Sequence, residues 1–300
     1  MKLSVQTSCI LIFCAVIFCN CSKHTGKQIA QAPLPQVQER RLLLNQGQKL
    51  QVDNTISATN SVEMMGQSMD VKMDIIMASQ LEVKEKRDTA YNISFVTTRI
   101  ATNMEMMGQT TNYDSDKKDD DNEMAKAMKD KINVPVEMEV NNDGKVINIK
   151  KDTTKPVNKE ADAMASMMSS MNAGGDERTT AGNIFLVLSK DLKTGDKWSD
   201  SVITTEGKTY NDYTIVSTDG DSTKVTLTGK QSIIKSIEAQ GMEMTVTLEN
   251  KLSGEIIVDK KTSVVTRKSV TTEGTGTTEI MGQSVPMTTK GTSTSLVKQL

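Results

Sequence analysis

The side chains in this chain that could do chemistry are few, and their placement restricts that chemistry. The Cys count is 4, and Cys9, Cys14, Cys19 and Cys21 all lie close to the N-terminus. The rest of the chain therefore has neither a disulfide framework nor a thiolate metal site. The single histidine, His24, sits in a polar stretch with no second ligand or base beside it. No serine stands in a G-x-S-x-G context, and no glycine loop fits a phosphate or a dinucleotide. Paired carboxylates are the remaining catalytic option, because converging Asp and Glu side chains leave no spacing signature. The acidic run Asp114, Asp116, Asp119, Asp120, Asp121 and Glu123 offers the oxygens that Ca²⁺ takes. The EF-hand pattern fails there, with Lys118 at its fifth position and Asp119 where glycine is required. The run reads better as a solvated loop that caps a helix.

The other unusual chemistry is the thioether. Met numbers 20 while aromatics are only 3%, so methionine must do much of the core-filling usually left to rings. Thioethers also take Cu(I). Here they fall at strand and helix periods rather than in a flexible tract with His or Cys, which places them in a core.

The elements that must position them follow from one stretch, Glu63–Met77. From Met69 onward it alternates strictly: Met69, Val71, Met73, Ile75 and Met77 point one way, and Asp70, Lys72 and Asp74 the other. That is a strand with one buried face. Its head, Glu63-Met64-Met65-Gly66-Gln67-Ser68, returns as Glu105-Met106-Met107-Gly108-Gln109-Thr110 and as Glu279-Ile280-Met281-Gly282-Gln283-Ser284. The repeated unit is strand, Gly-containing turn, strand. Met242, Met244, Val246 and Leu248 repeat the alternation.

Residues 1–20 read as a signal peptide: Lys2 precedes the apolar run Cys9–Cys19, which is shorter than the roughly 20 residues of a spanning helix. An apolar run ending at a cysteine and followed by polar residues resembles a bacterial lipoprotein signal, with Cys21 as the acylated residue and Cys19 as the alternative. An ordinary cleaved signal peptide remains the other reading. Residues 21–41, with Ala32-Pro33-Leu34-Pro35, form a lipid-anchored flexible tether. Residues 42–150 form a first β-rich half, with strands at about 55–63, 68–83, 89–98 and 100–107 and a helix at about 123–132. Residues 151–182 form a helical insert, in which Ala161, Met164, Ala165, Met168 and Met171 share a face. Residues 183–300 form a second β-rich half, with strands at about 198–205, 208–217, 223–237, 242–252, 254–259, 263–272 and 277–300. The apolar run Ile184–Leu188 is a buried strand or a buried turn of helix. The expected fold is mainly β: two related antiparallel halves forming one or more curved sheets, with a short helical insert between them.

The segments MMGQSMDVKMD at Met64–Asp74, MMGQTTNYDSD ending at Asp116, VEMEVNNDGKV at Val136–Val146 and TGDKWSD at Thr194–Asp200 resemble a family of Bacteroidota lipoproteins that carry a domain of unknown function, domain 6263. The resemblance implies an exported protein of mainly β structure, lipid-anchored to an envelope membrane and facing the periplasm or the cell surface. It implies no catalytic residues.

The residues and the resemblance together lead to a non-enzymatic envelope lipoprotein that binds an apolar ligand. Met69, Met73, Met77, Met242 and Met244 on strands and Met164 and Met168 on a covering helix would line the site. Two alternatives stand beside it: an envelope lipoprotein that docks a partner without a pocket, and a carboxylate-dependent hydrolase. The expected partners are the membrane, through the anchor, and an apolar small molecule or an envelope protein. A formal net charge of -2 offers no footprint for nucleic acid. Neither a cofactor nor a metal is called for.

Overall fold

The computed structural model describes residues 41–64, 66–117, 125, 128, 132–150, 183–189, 191–204, 207–239, 242–280 and 282–300; side chains at 64, 204, 237–239, 242–244 and 280 are not among them. Cys19, Cys21, His24, Met164, Met168 and the expected 151–182 insert lie outside these residues.

Alternating sequence gives long strands. In chain order they are β1 (Lys49–Met64), β2 (Gln67–Lys86), β3 (Ala90–Met106), β4 (Gln109–Asp114), β5 (Pro135–Asn141) and β6 (Val146–Lys150). The second group is β7 (Lys197–Thr204), β8 (Gly207–Ser217), β9 (Ser222–Ala239), β10 (Met242–Asp259), β11 (Val265–Ile280) and β12 (Gln283–Gln299). All pair antiparallel in one 12-stranded sheet of order β6-β5-β3-β2-β1-β12-β11-β10-β9-β8-β7, with β4 on β3. The strands of 42–150 and 183–300 therefore join along a central seam. There β1 runs against β12 from Leu50↔Gln299 to Val62↔Met287 without a register break.

Several strands are longer than their sequence suggests. Segments 89–98 and 100–107 are one strand, β3, with a register shift opposite Ala78/Ser79. Segments 242–252 and 254–259 are one strand, β10, because Gly254 lies within the ladder where the Ser269 carbonyl of β11 presses close. Segment 277–300 holds a hairpin turn at Gly282, which ends β11 and begins β12.

The repeated turn is a two-residue hairpin loop. Met107 and Gly108 have φ of 54° and 75°, the type I′ arrangement that suits the twist of long strands. Gly66 and Gly282, both at φ 77°, occupy the same place in their own repeats. At the opposite end of the sheet, the Asn141 side chain accepts from the Asp143 and Lys145 amides and turns β5 into β6.

One end of the sheet is closed by two pieces of chain. Leu42 and Leu44 pack with Leu50, Leu81, Tyr91, Ile93 and Val140, and the Tyr91 hydroxyl donates to the Leu42 carbonyl at 2.6 Å. The expected strand or helical turn at Ile184–Leu188 is neither. It is an irregular strap with one bridge, Phe185 to Val264, and it joins two clusters. Ile184 and Phe185 belong to the first cluster, and Leu188 packs with Ile215, Val225, Leu227, Ile256 and Val258 in the second. Of the helix expected at 123–132, Ala125, Met128 and Ile132 are described, and Ile132 lies in a turn rather than the helix. Ala125 and Met128 are helical and buried, against Ile100 and Tyr113.

Candidate functional site

Register places the predicted methionines on one face. Met69 pairs with Val62, Val62 with Met287, Met287 with Gly276 and Gly276 with Leu248. Partners across an antiparallel ladder share a face, so Met69, Met73 and Met77 of β2 lie on the same face as Leu248 of β10, and positions 242 and 244 are in phase with Leu248 along the strand. Met73 is 5% exposed and packs with Ile56 and Ile75; Met77 is partly buried and bridges this group to Ile100 and Met128. The structure adds Met104, paired with Met73, and Met287, both partly buried on this face. Met287 was legible in the alternation Val285, Met287, Thr289. Met104 was hidden by the apparent break in β3.

The opposite face is charged along its length. Lys72 pairs with Glu105 at 3.4 Å, Lys290 with Glu273 at 3.3 Å and Lys224 with Glu255 at 2.6 Å, while Asp53, Asp70, Asp74, Glu249 and Lys251 also point that way. A strand that faces hydrocarbon must carry an apolar outer band. These strands do the reverse, with most charge outward and methionine inward, although Lys235, Lys268 and Asp200 stand on the inner face.

The inner face is crowded at its glycines. A Cβ on Gly276 would lie 1.9 Å from the Thr247 carbonyl oxygen, and one on Gly254 2.4 Å from that of Ser269. Gly207, Gly229 and Gly274 lie on this face too and are similarly crowded. Neighbouring backbones stand close where these side chains are missing, room that only glycine leaves.

One row of this face is polar. Reading across the ladders it runs Met106, Val71, Asn60, Thr289, Gly274, Asn250, Gln231 and Thr209. Asn60 is 3% exposed and neither atom of its carboxamide has a hydrogen-bond partner. Asn250 is 4% exposed; its Nδ2 donates to Gln231 Oε1 at 3.1 Å, and its Oδ1 has no partner. Gln231 donates in turn to Thr209 at 3.3 Å. Neither asparagine was singled out from sequence, because each stands as one polar residue inside an apolar alternation.

Other polar groups, on the outer face and at the strap, have partners. The acidic residues Asp114 and Asp116 face Arg99, whose guanidinium donates to both Asp114 oxygens at 2.9 and 3.2 Å and lies 3.1 Å from Asp116. The hydrogen bond from Arg99 holds the Asp114 carboxyl below the usual carboxylate range. Asp119, Asp120, Asp121 and Glu123 lie outside the described residues. Tyr213 stacks on Trp198 with ring centroids 4.9 Å apart and donates to Asp200 at 3.1 Å. Burial, and then the charge of Asp200, raise the pKa of its hydroxyl. A depression of about 210 Å³ lies near Leu188, Leu192, Ile215 and Lys260, at the strap rather than at the methionines. Lys260 is committed to the Thr218 and Gly220 carbonyls at 3.0 and 2.9 Å.

Lys268 carries a pH consequence. Its Nζ donates to Asn183 Oδ1 at 2.7 Å, and burial pushes its pKa from 10.5 down to about 8, against an opposing pull from Asp200. The fold thus disfavours the ammonium. The penalty is present in full below pH 8 and is relieved as pH rises from about 8 to 10.5. Part of the residue remains in solvent, which makes the effect smaller than full burial would give. Lys268→Met should raise the urea midpoint at pH 7 and flatten the rise in wild-type stability across that window. An unchanged slope would show that Lys268 is not the titrating group.

Comparison with solved structures gives lipovitellin, in a structure concerned with its lipid–protein interactions, at 9% identity and a TM-score of 0.50, covering 85% of this chain. The chain spans 25% of the length of that protein, and at this identity the likeness is one of fold alone. An outer membrane channel from Pseudomonas putida F1 aligns at 8% identity over 86% of this chain and 97% of its own, with a TM-score of only 0.26. No curated protein matches the chain significantly. The family model described as "Family of unknown function (DUF6263)" matches residues 88–265, from the start of β3 to the start of β11. That span takes in most of both strand groups and the connection between them, and the chain belongs to this family.

Proposed function

We propose that this chain is a non-enzymatic binding module of the cell envelope that holds an apolar ligand against the methionine face of its sheet. The observation that carries the reading is the polarity of the sheet: most charge on the outer face, and Met69, Met73, Met77, Met104 and Met287 on the inner face. Unbranched thioethers adapt to chains of different length. The fold shared with lipovitellin, whose structure concerns lipid–protein interactions, supports the same reading. In this proposal 42–150 and 183–300 are related halves, and the 151–182 insert, with Met164 and Met168, closes the site as a helical cover.

The same proposal places the protein on an envelope membrane through acylated Cys21, facing the periplasm or the cell surface. Cys21→Ser should then move it out of the membrane fraction; release by Cys19→Ser instead would reassign the anchor. For the ligand, the purified chain should bind a fluorescent fatty-acid analogue saturably, and organic extraction of the native protein should yield a lipid. No saturable binding across several acyl lengths would exclude the carrier reading. That result would favour docking of an envelope protein, for which Ile203, Ile234 and Tyr210, exposed on the outer face of β7–β9, are the available contacts.

A further inference from the structure

We infer that the ligand of this face is not a plain hydrocarbon but a neutral amphiphile, whose hydroxyl or amide head group bonds Asn60 and Asn250. The inference rests on the carrier reading and sharpens it.

Asn60 lies in β1 directly opposite Val71 of β2, with the Ala58–Met73 pair as its neighbour on the same face. It is a single carboxamide set in an apolar surface. Its Nδ2 and Oδ1 are both buried and both without a partner. A buried amide left unpaired is costly, and native proteins rarely keep one without a use for it. Asn250 repeats the feature on the other side of the seam. Its amide nitrogen is committed to Gln231, so only its carbonyl oxygen remains to accept.

The two stand in one row three strand spacings apart, roughly 14 Å between backbones, so a head group that reaches both must be an extended one such as a glyceryl group. Asn60, Thr289, Gly274 and Asn250 follow one another across β1, β12, β11 and β10. A Cβ on Gly274 would lie 1.8 Å from Asn250 Oδ1 and 2.8 Å from Thr289 Cγ2. The Asn250 carbonyl therefore leans over Gly274 toward the seam, on the side where Asn60 stands. Glycine at that position is what makes room for it.

The chemistry of the groups selects the ligand. Together they offer one amide donor pair and two carbonyl acceptors, and neither residue carries charge. A head group must both donate and accept, as a hydroxyl or an amide does. An ionised carboxylate would need a cation beside it in this row, where the side chains are Val71, Asn60, Thr289, Asn250, Gln231 and Thr209; the buried Lys235 of the same face stands two rows away, opposite Val246. An acyl chain running along β1 and β2 would have to displace the protein atoms that now cover Ala58, Met73, Ile56 and Ile75, all buried on the same face.

The test uses the full chain and displacement of a fluorescent palmitoyl probe by monopalmitin, palmitate and hexadecane. Wild type should release the probe to monopalmitin at about tenfold lower concentration than to hexadecane, the size of one or two buried hydrogen bonds. Asn60→Leu should abolish that preference while leaving the melting temperature of the lipid-free protein equal or higher, since it removes an unpaired buried amide. Asn250→Ser should reduce the preference without abolishing it. A preference for palmitate over monopalmitin would overturn the inference, as would equal displacement by all three, or a preference that survives Asn60→Leu. These results would leave the carrier reading intact. Failure of the probe to bind wild type at all would remove the carrier reading and this inference with it.

Discussion

Gly276→Val should be among the most damaging single changes this fold can suffer, lowering stability by about 4 kcal/mol or more. Gly276 lies inside β11, with the Thr247 carbonyl of β10 where its Cβ would be. The intruding atom is backbone, so no side-chain rotation can relieve the overlap. Either the β10–β11 ladder opens, losing the pairs around Leu248↔Gly276, or β11 shifts and breaks its continuous register with β12. Thr275→Val is the control. It puts a valine one residue away on the exposed outer face, nearly isosteric with the threonine it replaces, and should stay within about 0.5 kcal/mol of wild type. Urea denaturation of both variants decides the matter. If Gly276→Val melts like wild type, the inner face is not compressed there.

Met73→Asp should cost about 3–5 kcal/mol, the usual consequence of burying a charge without a partner. Met73 has Ile56 and Ile75 as its packed neighbours, which offer a carboxylate no partner, and Asn60 on the adjacent pair offers a neutral amide rather than a cation. Protonation relieves the cost, so the loss should shrink as the pH is lowered below the raised pKa of the new side chain. Met73→Leu should cost less than about 1.5 kcal/mol, since volume and polarity are nearly kept. Met107→Asp, at a hairpin tip 75% exposed, should cost almost nothing. Equal effects of Asp at 73 and at 107 would mean that the methionine face is open to water.

The strands were legible in the sequence because their side chains alternate, and the hairpins because the Glu-Met-Met-Gly-Gln unit repeats. The methionine face was legible for the same reason: period-2 patterning assigns a residue to a face without knowledge of its neighbours. What patterning cannot convey is which strands are adjacent. The β1–β12 seam joins residues from opposite ends of the chain, and no local signal marks it. The row that brings Asn60 level with Asn250 depends on that seam and was hidden with it. Glycines inside β10 and β11 looked like strand ends, since a missing side chain reads as a turn until a crowded neighbour gives it a purpose. The strap at Ile184–Leu188 was visible as buried but not as irregular. Its hydrogen bonds go to Ser263, before β11, and to Val265 at the start of β11, and do not extend into a ladder of its own, so its periodicity carried no information about its form.

The central seam also dictates an order of assembly. Each strand group is made largely of hairpins between sequence neighbours, and such contacts cost little loop entropy to form. The pairing of β1 with β12 is the exception, since Leu50 must find Gln299. Until it does, β1 and β12 are both long unpaired edges, open to strands of other molecules. The finished sheet leaves the short strands β4, β6 and β7 outermost and hides its longest edges in the middle. A chain that lost β12 would not fray at its margin. It would split down the centre, into two half-sheets each with an unpaired edge.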